Sequence, residues 1–152
     1  MTNQTEIATQ ARKEWMGLLA RAPDDALMTL WDGIQDRPSF DWLRSPEVGG
    51  VMVRGRTGAT GAPFNLGEMT VTRCSVVLHD GTVGHGYVQG RSKPKAEVAA
   101  LIDAMMQTPA ADDLQARLLD PLQQQMQAAK TTRAAKAAAT KVEFFTLVRG
   151  ED

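Results

Sequence analysis

The sequence predicts an α+β fold: a mostly antiparallel sheet of about four strands, packed by helices from the N-terminal and C-terminal ends of the chain. Three observations carry this. Apolar residues recur at helical spacing before residue 36 and again after residue 92. Between Val48 and Gln89 the apolar period changes from 3.6 to 2. Asp80-Gly81 then separates two β-prone runs, the strongest short-range hairpin signal in the chain. The 152 residues fit a single domain over 1–152, because a chain of this length buries about two-thirds of its unfolded surface without disulfide or metal staples.

The elements follow in order. Residues 4 to 36 read as two helices. Ala8, Ala11, Trp15, Leu18, Leu19 and Ala22 form one stripe, with Asn3 and Glu6 as a capping box; Leu27, Leu30, Trp31 and Ile34 form the second after Pro23. Arg37 to Pro46, with two prolines and no clean period, reads as a connector. Val48 to Arg56 is a first strand, Thr57 to Gly67 a glycine-rich loop, Met69 to Leu78 a second strand and Thr82 to Gln89 a third. A two-residue Asp80-Gly81 turn sets His79 opposite Thr82. It thereby puts Val83, His85, Tyr87 and Gln89 on the face of Leu78, Val76, Cys74 and Thr72, leaving Gly84, Gly86, Val88 and Gly90 on the other face. Three glycines on one face leave room for a helix, another chain or a ligand, a packed helix being the default.

Ser92 to Gln107 reads as a helix with Val98, Leu101, Ile102, Met105 and Met106 as its stripe. Asp112 to Thr140 reads as two, divided where Asp120 caps and Pro121 takes the first helical position. Lys141 to Arg149 is β-prone. Its adjacent Phe144 and Phe145 must point to opposite faces of a strand, which suits an inner strand or an edge closed by a partner chain.

Composition removes several functional classes. Net charge is −1, from 17 Lys+Arg against 18 Asp+Glu, and aromatics are 5%, which argues against nucleic-acid binding. The longest uncharged run, Thr57 to Gly67, is mostly Gly or polar and cannot span a membrane. The N-terminus lacks the apolar core of a signal peptide, so the chain reads as cytoplasmic. One cysteine and two histidines cannot build a disulfide framework or a closed zinc site.

The candidate chemistry is anionic recognition. Between Val51 and Lys95 stand Arg54, Arg56, Arg73, Arg91, Lys93 and Lys95 against Glu68 and Asp80 alone. Arg91, Lys93 and Lys95 lie at a helix start, where cations oppose the macrodipole, and such local conflicts collect at functional sites. A helix N-terminus ringed by cations is an anion site, and the Gly58–Gly61 loop can add backbone donors, although it matches neither a P-loop nor a dinucleotide fingerprint. The candidate anion or substrate contacts are Arg54, Arg56, Arg73, Arg91, Lys93 and Glu68. Solvated charge is the plain alternative, as it is for Lys130, Arg133 and Lys136 on the alanine-rich helix. Cys74 reads as a buried structural thiol, and His85 and His79 as ordinary histidines. No pair of acids has a general acid–base arrangement, so no catalytic residue is assigned.

The segments Arg12-Lys-Glu-Trp-Met-Gly-Leu-Leu-Ala20, Val51-Met-Val-Arg-Gly-Arg56, Gly58-Ala-Thr-Gly-Ala-Pro-Phe-Asn-Leu-Gly-Glu68, Thr70-Val-Thr-Arg-Cys74, Tyr87-Val-Gln-Gly-Arg91 and Thr140-Lys-Val-Glu-Phe-Phe-Thr-Leu-Val-Arg-Gly150 resemble the PhnG family. These are G subunits of the carbon–phosphorus (C–P) lyase system of phosphonate catabolism. One departure is Ser92-Lys93-Pro94, where the family more often has an acidic residue after Gly-Arg. The resemblance implies a hetero-oligomer subunit working with the H, I and J subunits of a core complex and an ATP-binding L protein. It implies that the complex displaces adenine from ATP by phosphonate, forming ribose 1-phosphonate 5′-triphosphate, with the nucleosidase chemistry on I. The later radical step, with an iron–sulfur cluster and S-adenosylmethionine, is then on J, and this chain binds no cofactor. A subunit of this kind is expected to self-associate when isolated. The competing reading is a stand-alone nucleotide- or phosphate-binding enzyme built on the Gly58–Gly61 loop, the Arg cluster and Glu68.

Overall fold

The computed structural model describes residues 2–56, 58 and 61–149, with side chains at all of these except 2, 65 and 142–149. Helix α1 spans Thr2–Arg21 and α2 spans Asp24–Asp32. Pro23, held extended at φ −60 and ψ 139, divides them, and Asp24 and Asp25 place negative charge on the first turn of α2. Asn3 lies inside the first turn of α1 rather than before it, so the expected capping box does not form. Arg37 closes α2: its guanidinium donates to the carbonyls of Ile34 (2.9 Å) and Trp31 (2.7 Å) and lies 4.7 Å from the Trp31 ring centre.

Three antiparallel strands follow in the order β1-β2-β3: β1 Phe40–Arg56, β2 Pro63–Leu78 and β3 Val83–Gln89. Strand β1 begins eight residues before the expected Val48 and runs through the segment expected as a connector. Pro46 is tolerated there because β1 is an edge strand and its pairing with β2 is irregular between Trp42 and Glu47. The strands also extend into the expected loop, so β1 and β2 pair out to Arg56 and Pro63. Strand β3 reaches β2 only over Val71–Val77. Beyond that, β1 and β2 continue as a two-stranded ribbon.

The hairpin register differs from the two-residue turn by one position. Leu78 donates to the carbonyl of Thr82 and accepts from Gly81, which sits at φ 90, so the loop is His79-Asp80-Gly81. Asp80 fixes it by accepting from the Thr82 N–H at 2.9 Å, a bond that also holds its carboxyl below the usual range. A one-residue slip exchanges the faces of a strand. Gly84, Gly86 and Val88 therefore pair with Val76, Cys74 and Thr72 and face the core, not away from it. Helix α3, Lys93–Met105, packs there as the default reading of the glycine face expects. A Cβ on Gly84 would run into the Ala100 carbonyl, and one on Gly86 into that of Ala96. Ala96, Ala100 and Ala104 present the matching small face of α3.

The remainder is one long, interrupted helix. A short α4, Ala111–Leu114, runs into a π-helical turn at Gln115–Leu119 and then α5, Asp120–Arg149. Asp120 is helical, at φ −64 and ψ −49, so Pro121 does not start a new helix. The wide turn instead absorbs its missing N–H. Leu114, Leu118, Leu119 and Leu122 anchor this segment in the core with Leu19, Leu27, Trp31 and α3. Each such buried side chain stabilises the fold by about 1.5–3 kcal/mol. From Gln127 to Lys141 every residue of α5 is exposed.

The fourth strand expected over Lys141–Arg149 is absent: the backbone there is helical, and the sheet has three strands among the described residues. Strand propensity depends on neighbouring strands, whereas an established helix extends by one hydrogen bond per added residue. The α+β class, the antiparallel sheet and the helices from both chain ends are as the sequence indicates. No helix among the described residues is long and apolar enough to cross a membrane.

Candidate functional site

The ribbon and the start of α3 carry the candidate residues, and the structure separates them into groups. Arg54 and Arg56 are exposed on the outer part of β1, opposite Asn65 and Pro63. Glu68 lies opposite Met52 and folds over Gly50, where a Cβ would meet its carboxylate. Arg73 lies on the other face, opposite Tyr87, and ion-pairs with Glu47 at 3.0 Å. Arg91 and Lys93, both exposed, flank the N-terminus of α3. Gly90, just before them, donates to Thr70 at 2.9 Å, which sets this corner where the ribbon leaves the sheet. Alternation along β1 puts Arg54 and Arg56 on the face of Met52 and Glu68, the face against which α3 packs. The distance from Thr70 to Asn65 along β2 is roughly 16 Å at the usual strand rise, so the two cationic pairs are neighbours and not one cluster.

The α3 N-terminus offers fewer donors than a free helix end. Ser92 Oγ caps Lys95 N–H at 3.2 Å, Pro94 has no N–H, and Ala96 N–H already bonds the Ser92 carbonyl. Lys93 N–H is the donor left in that turn. Lys95 does not face the same solvent: it is 2% exposed and its Nζ lies 3.4 Å from Asp24 Oδ1, tying α3 to the start of α2. Of the Gly58–Gly61 loop, Ala59 and Thr60 lie outside the described residues.

The buried carboxylate of Asp103 is the feature that sequence reading missed. It is fully buried in α3 and accepts four hydrogen bonds. Arg12 Nε and Nη2 donate at 3.1 and 2.8 Å, Trp15 Nε1 at 2.8 Å, and the backbone N–H of His85 at 2.8 Å. Hydrogen bonding to Asp103 holds the proton on Arg12 more firmly than usual. The available signal was an acid inside the apolar run Ala100-Leu-Ile-Asp103-Ala-Met. With every lone pair engaged, this group joins α1, α3 and β3 and is a structural hub.

Other reactive side chains are similarly occupied. Cys74 is 1% exposed, and burial together with the charge of Glu97 pushes its thiol from 9.0 up to about 11. His85 Nδ1 and Ser75 Oγ are 2.8 Å apart across β2 and β3, on an exposed face. No group of three or more potential metal ligands occurs among the described residues. Of the second basic cluster, Lys130 and Arg133 line a cleft of about 400 Å³ together with Arg21 of α1, over Leu18 and Met126. The ribbon also exposes large apolar side chains, Met52, Phe64 and Leu66, in a two-stranded form that is marginal in water by itself.

Comparison with known proteins matches this molecule over most of its length. The family model described as "Phosphonate metabolism protein PhnG" matches residues 10–150. A protein of Rhizobium meliloti (strain 1021), named alpha-D-ribose 1-methylphosphonate 5-triphosphate synthase subunit PhnG, is 46% identical over 141 residues. The match covers 93% of this chain and 90% of that protein. The ordered segments from Arg12 to Gly150 that resemble PhnG proteins thus run through the matched region, and the chain belongs to the PhnG family of phosphonate metabolism proteins.

Proposed function

We propose that this chain is a subunit of the cytoplasmic complex that converts ATP and a phosphonate into ribose 1-phosphonate 5′-triphosphate, with release of adenine. The observation that carries this reading is the nearly full-length match to a protein named as a subunit of such a synthase. The shape of the molecule supports it, because the ribbon exposes Met52, Phe64 and Leu66 and α5 continues past the body. Surfaces of this kind suit coverage by other chains.

In the reaction, a phosphonate oxygen replaces N9 of adenine at C1′ of the ribose while the triphosphate stays on O5′. The chemistry needs anion neutralisation and a group that assists adenine departure. This chain offers the first and not the second: Arg54, Arg56, Arg91 and Lys93 are exposed, whereas its thiol and its buried carboxylate are sequestered. Arg91 and Lys93 are the best-placed contacts for a phosphate or phosphonate held between subunits. Arg54 and Arg56 stand farther along the ribbon, and Arg73 is neutralised by Glu47. The groups acting at C1′ belong to the I subunit, assembled with H and J and served by the L protein. The iron–sulfur cluster and S-adenosylmethionine belong to J and to a later step, and ATP enters as a substrate of the assembly.

The test is size-exclusion chromatography with light scattering, on the chain alone and co-expressed with the H, I and J subunits, followed by an assay of adenine release. A defined complex, with adenine release that depends on this chain, is the expected result. A well-behaved monomer that ignores those subunits and binds ATP overturns it in favour of a stand-alone nucleotide-binding protein.

A further inference from the structure

The two edges of the sheet are treated differently. On β3 two outward backbone groups are engaged by side chains of α3 and of the turn that follows it. Gln107 Nε2 donates to the Val83 carbonyl at 2.9 Å, and Asp103 accepts the His85 N–H at 2.8 Å. Helix α1 packs beside them. Over Val83–His85 that edge is therefore already occupied.

The β1 edge is open, and the register says which groups it offers. Thr70 accepts from Gly90, so its backbone points towards β3, while that of Met69 and Val71 points towards β1. Their partners Val51 and Gly49 turn inward, and the N–H and C=O groups of Val48, Gly50 and Met52 point outward. Among the described residues these outward groups have no hydrogen-bond partner. Folded proteins blunt such edges with proline, bulges or charge. Strand β1 does so before Val48, through Pro46 and the irregular pairing from Trp42 to Glu47. Val48-Gly-Gly-Val-Met-Val53 carries no proline, no charge and no bulge. A further register shift between Val53 and Arg54 bounds the other end, so Val48–Val53 is the regular stretch of the edge left free to pair.

Charge decides between a second copy of this chain and a different one. Arg54 and Arg56 follow the open segment on the face of Met52, and among the described residues no ion pair engages them. The carboxylates of β1, Asp41 and Glu47, lie on the opposite face, opposite Val77 and Arg73. In a two-fold antiparallel pairing that keeps the sheet faces continuous, partners share a face. No such register brings Asp41 or Glu47 to Arg54 or Arg56, so the edge strand of a second copy offers neither cation a carboxylate.

We propose that the outer edge of β1 from Val48 to Val53 takes up an extended segment of another subunit, which continues the sheet and carries carboxylate side chains against Arg54 and Arg56. This is strand addition, in which main-chain bonds supply affinity and side chains supply selectivity. The proposal rests on the subunit reading above and specifies one contact within it.

Amide hydrogen exchange on the lone chain and on the complex co-expressed with H, I and J tests the edge. The Val48, Gly50 and Met52 amides are expected to exchange at least about tenfold more slowly in the complex, since each gains a main-chain bond. Met52→Pro removes one outward N–H and no β1–β2 bond, and is expected to weaken association about tenfold, while Met52→Ala keeps the N–H and stays within about threefold. Circular dichroism of the Met52→Pro chain checks that its fold is kept, and the exchange readout needs no variant. Assembly of the unaltered chain with unprotected amides overturns this inference alone. Failure of the unaltered chain to assemble overturns the subunit reading with it. Concentration-dependent protection in the lone chain overturns the assignment to a different subunit and points to self-pairing.

Discussion

Asp103 shows how one residue can hold three elements together. A fully buried charge is tolerable when its lone pairs are engaged, and Arg12, Trp15 and the His85 N–H engage them here. Removing the acceptor strands those donors, so Asp103→Ala is expected to cost about 3–5 kcal/mol in a urea titration, with Asp103→Asn losing less. Cys74 makes a second prediction at this scale. Its thiol is raised from 9.0 to about 11 in the folded chain, so the folded form holds a proton that the unfolded form has lost across that window. Stability is therefore complete below about pH 9 and falls as pH rises towards 11, which the urea midpoint measured across that range checks. Native Cys74 is also expected to react with a thiol reagent only on unfolding, and rapid labelling at pH 8 contradicts its burial. Cys74 was legible as a buried thiol from its apolar neighbours. Asp103 was not, because its partners are 88 and 91 residues away in sequence and no local pattern announces them.

At the scale of the element, the contact between β3 and α3 is the tightest in the molecule. Gly84 and Gly86 meet main-chain atoms of α3, which cannot swing aside as a flexible side chain would. Gly86→Ala is expected to destabilise by about 1–3 kcal/mol or more, read as a lowered urea midpoint. A midpoint equal to that of the parent chain contradicts this packing. The sequence marks the glycines as a groove with a packed helix as its default occupant, and α3 is that helix. The sequence assigns their face wrongly, because Asp-Gly serves both a two-residue turn and a three-residue loop ending in a positive-φ glycine. The choice rests on which register buries Val76 and Cys74 together with the helix. Helix α5 teaches a related lesson: the β-prone residues after Thr140 remain helical because they extend an alanine-rich helix already under way.

Over the whole molecule, a core of α1, α2, α3 and the π-helical segment holds two projections, the ribbon and the outer half of α5. Their stability is separable from that of the core, since residues 127–141 bury no side chain. In the lone chain the α5 amides in this stretch are expected to exchange far faster than those of α3, and to become protected when the H, I and J subunits are present. Slow exchange in a monomer shows that the outer half of α5 is stable without partners and contradicts this. Arg91→Ala and Lys93→Ala together are expected to leave assembly intact, since both side chains are exposed, while raising the KM for ATP or phosphonate in the complex. An unchanged KM removes these cations from the site.

Local sequence carries the α+β class, helices on either side of a β-rich centre, the Asp80-Gly81 turn position and the family. Each is written in local periodicity, in turn chemistry or in ordered motifs, which need no knowledge of distant contacts. Long-range contacts set the hairpin register, the fate of Lys141–Arg149, the burial of Lys95 and Asp103, and the division of the candidate cations. Those depend on which surfaces meet: a one-residue slip or an ion pair formed 71 residues apart, as between Lys95 and Asp24, is settled by packing, where burial and charge compensation outweigh local preference.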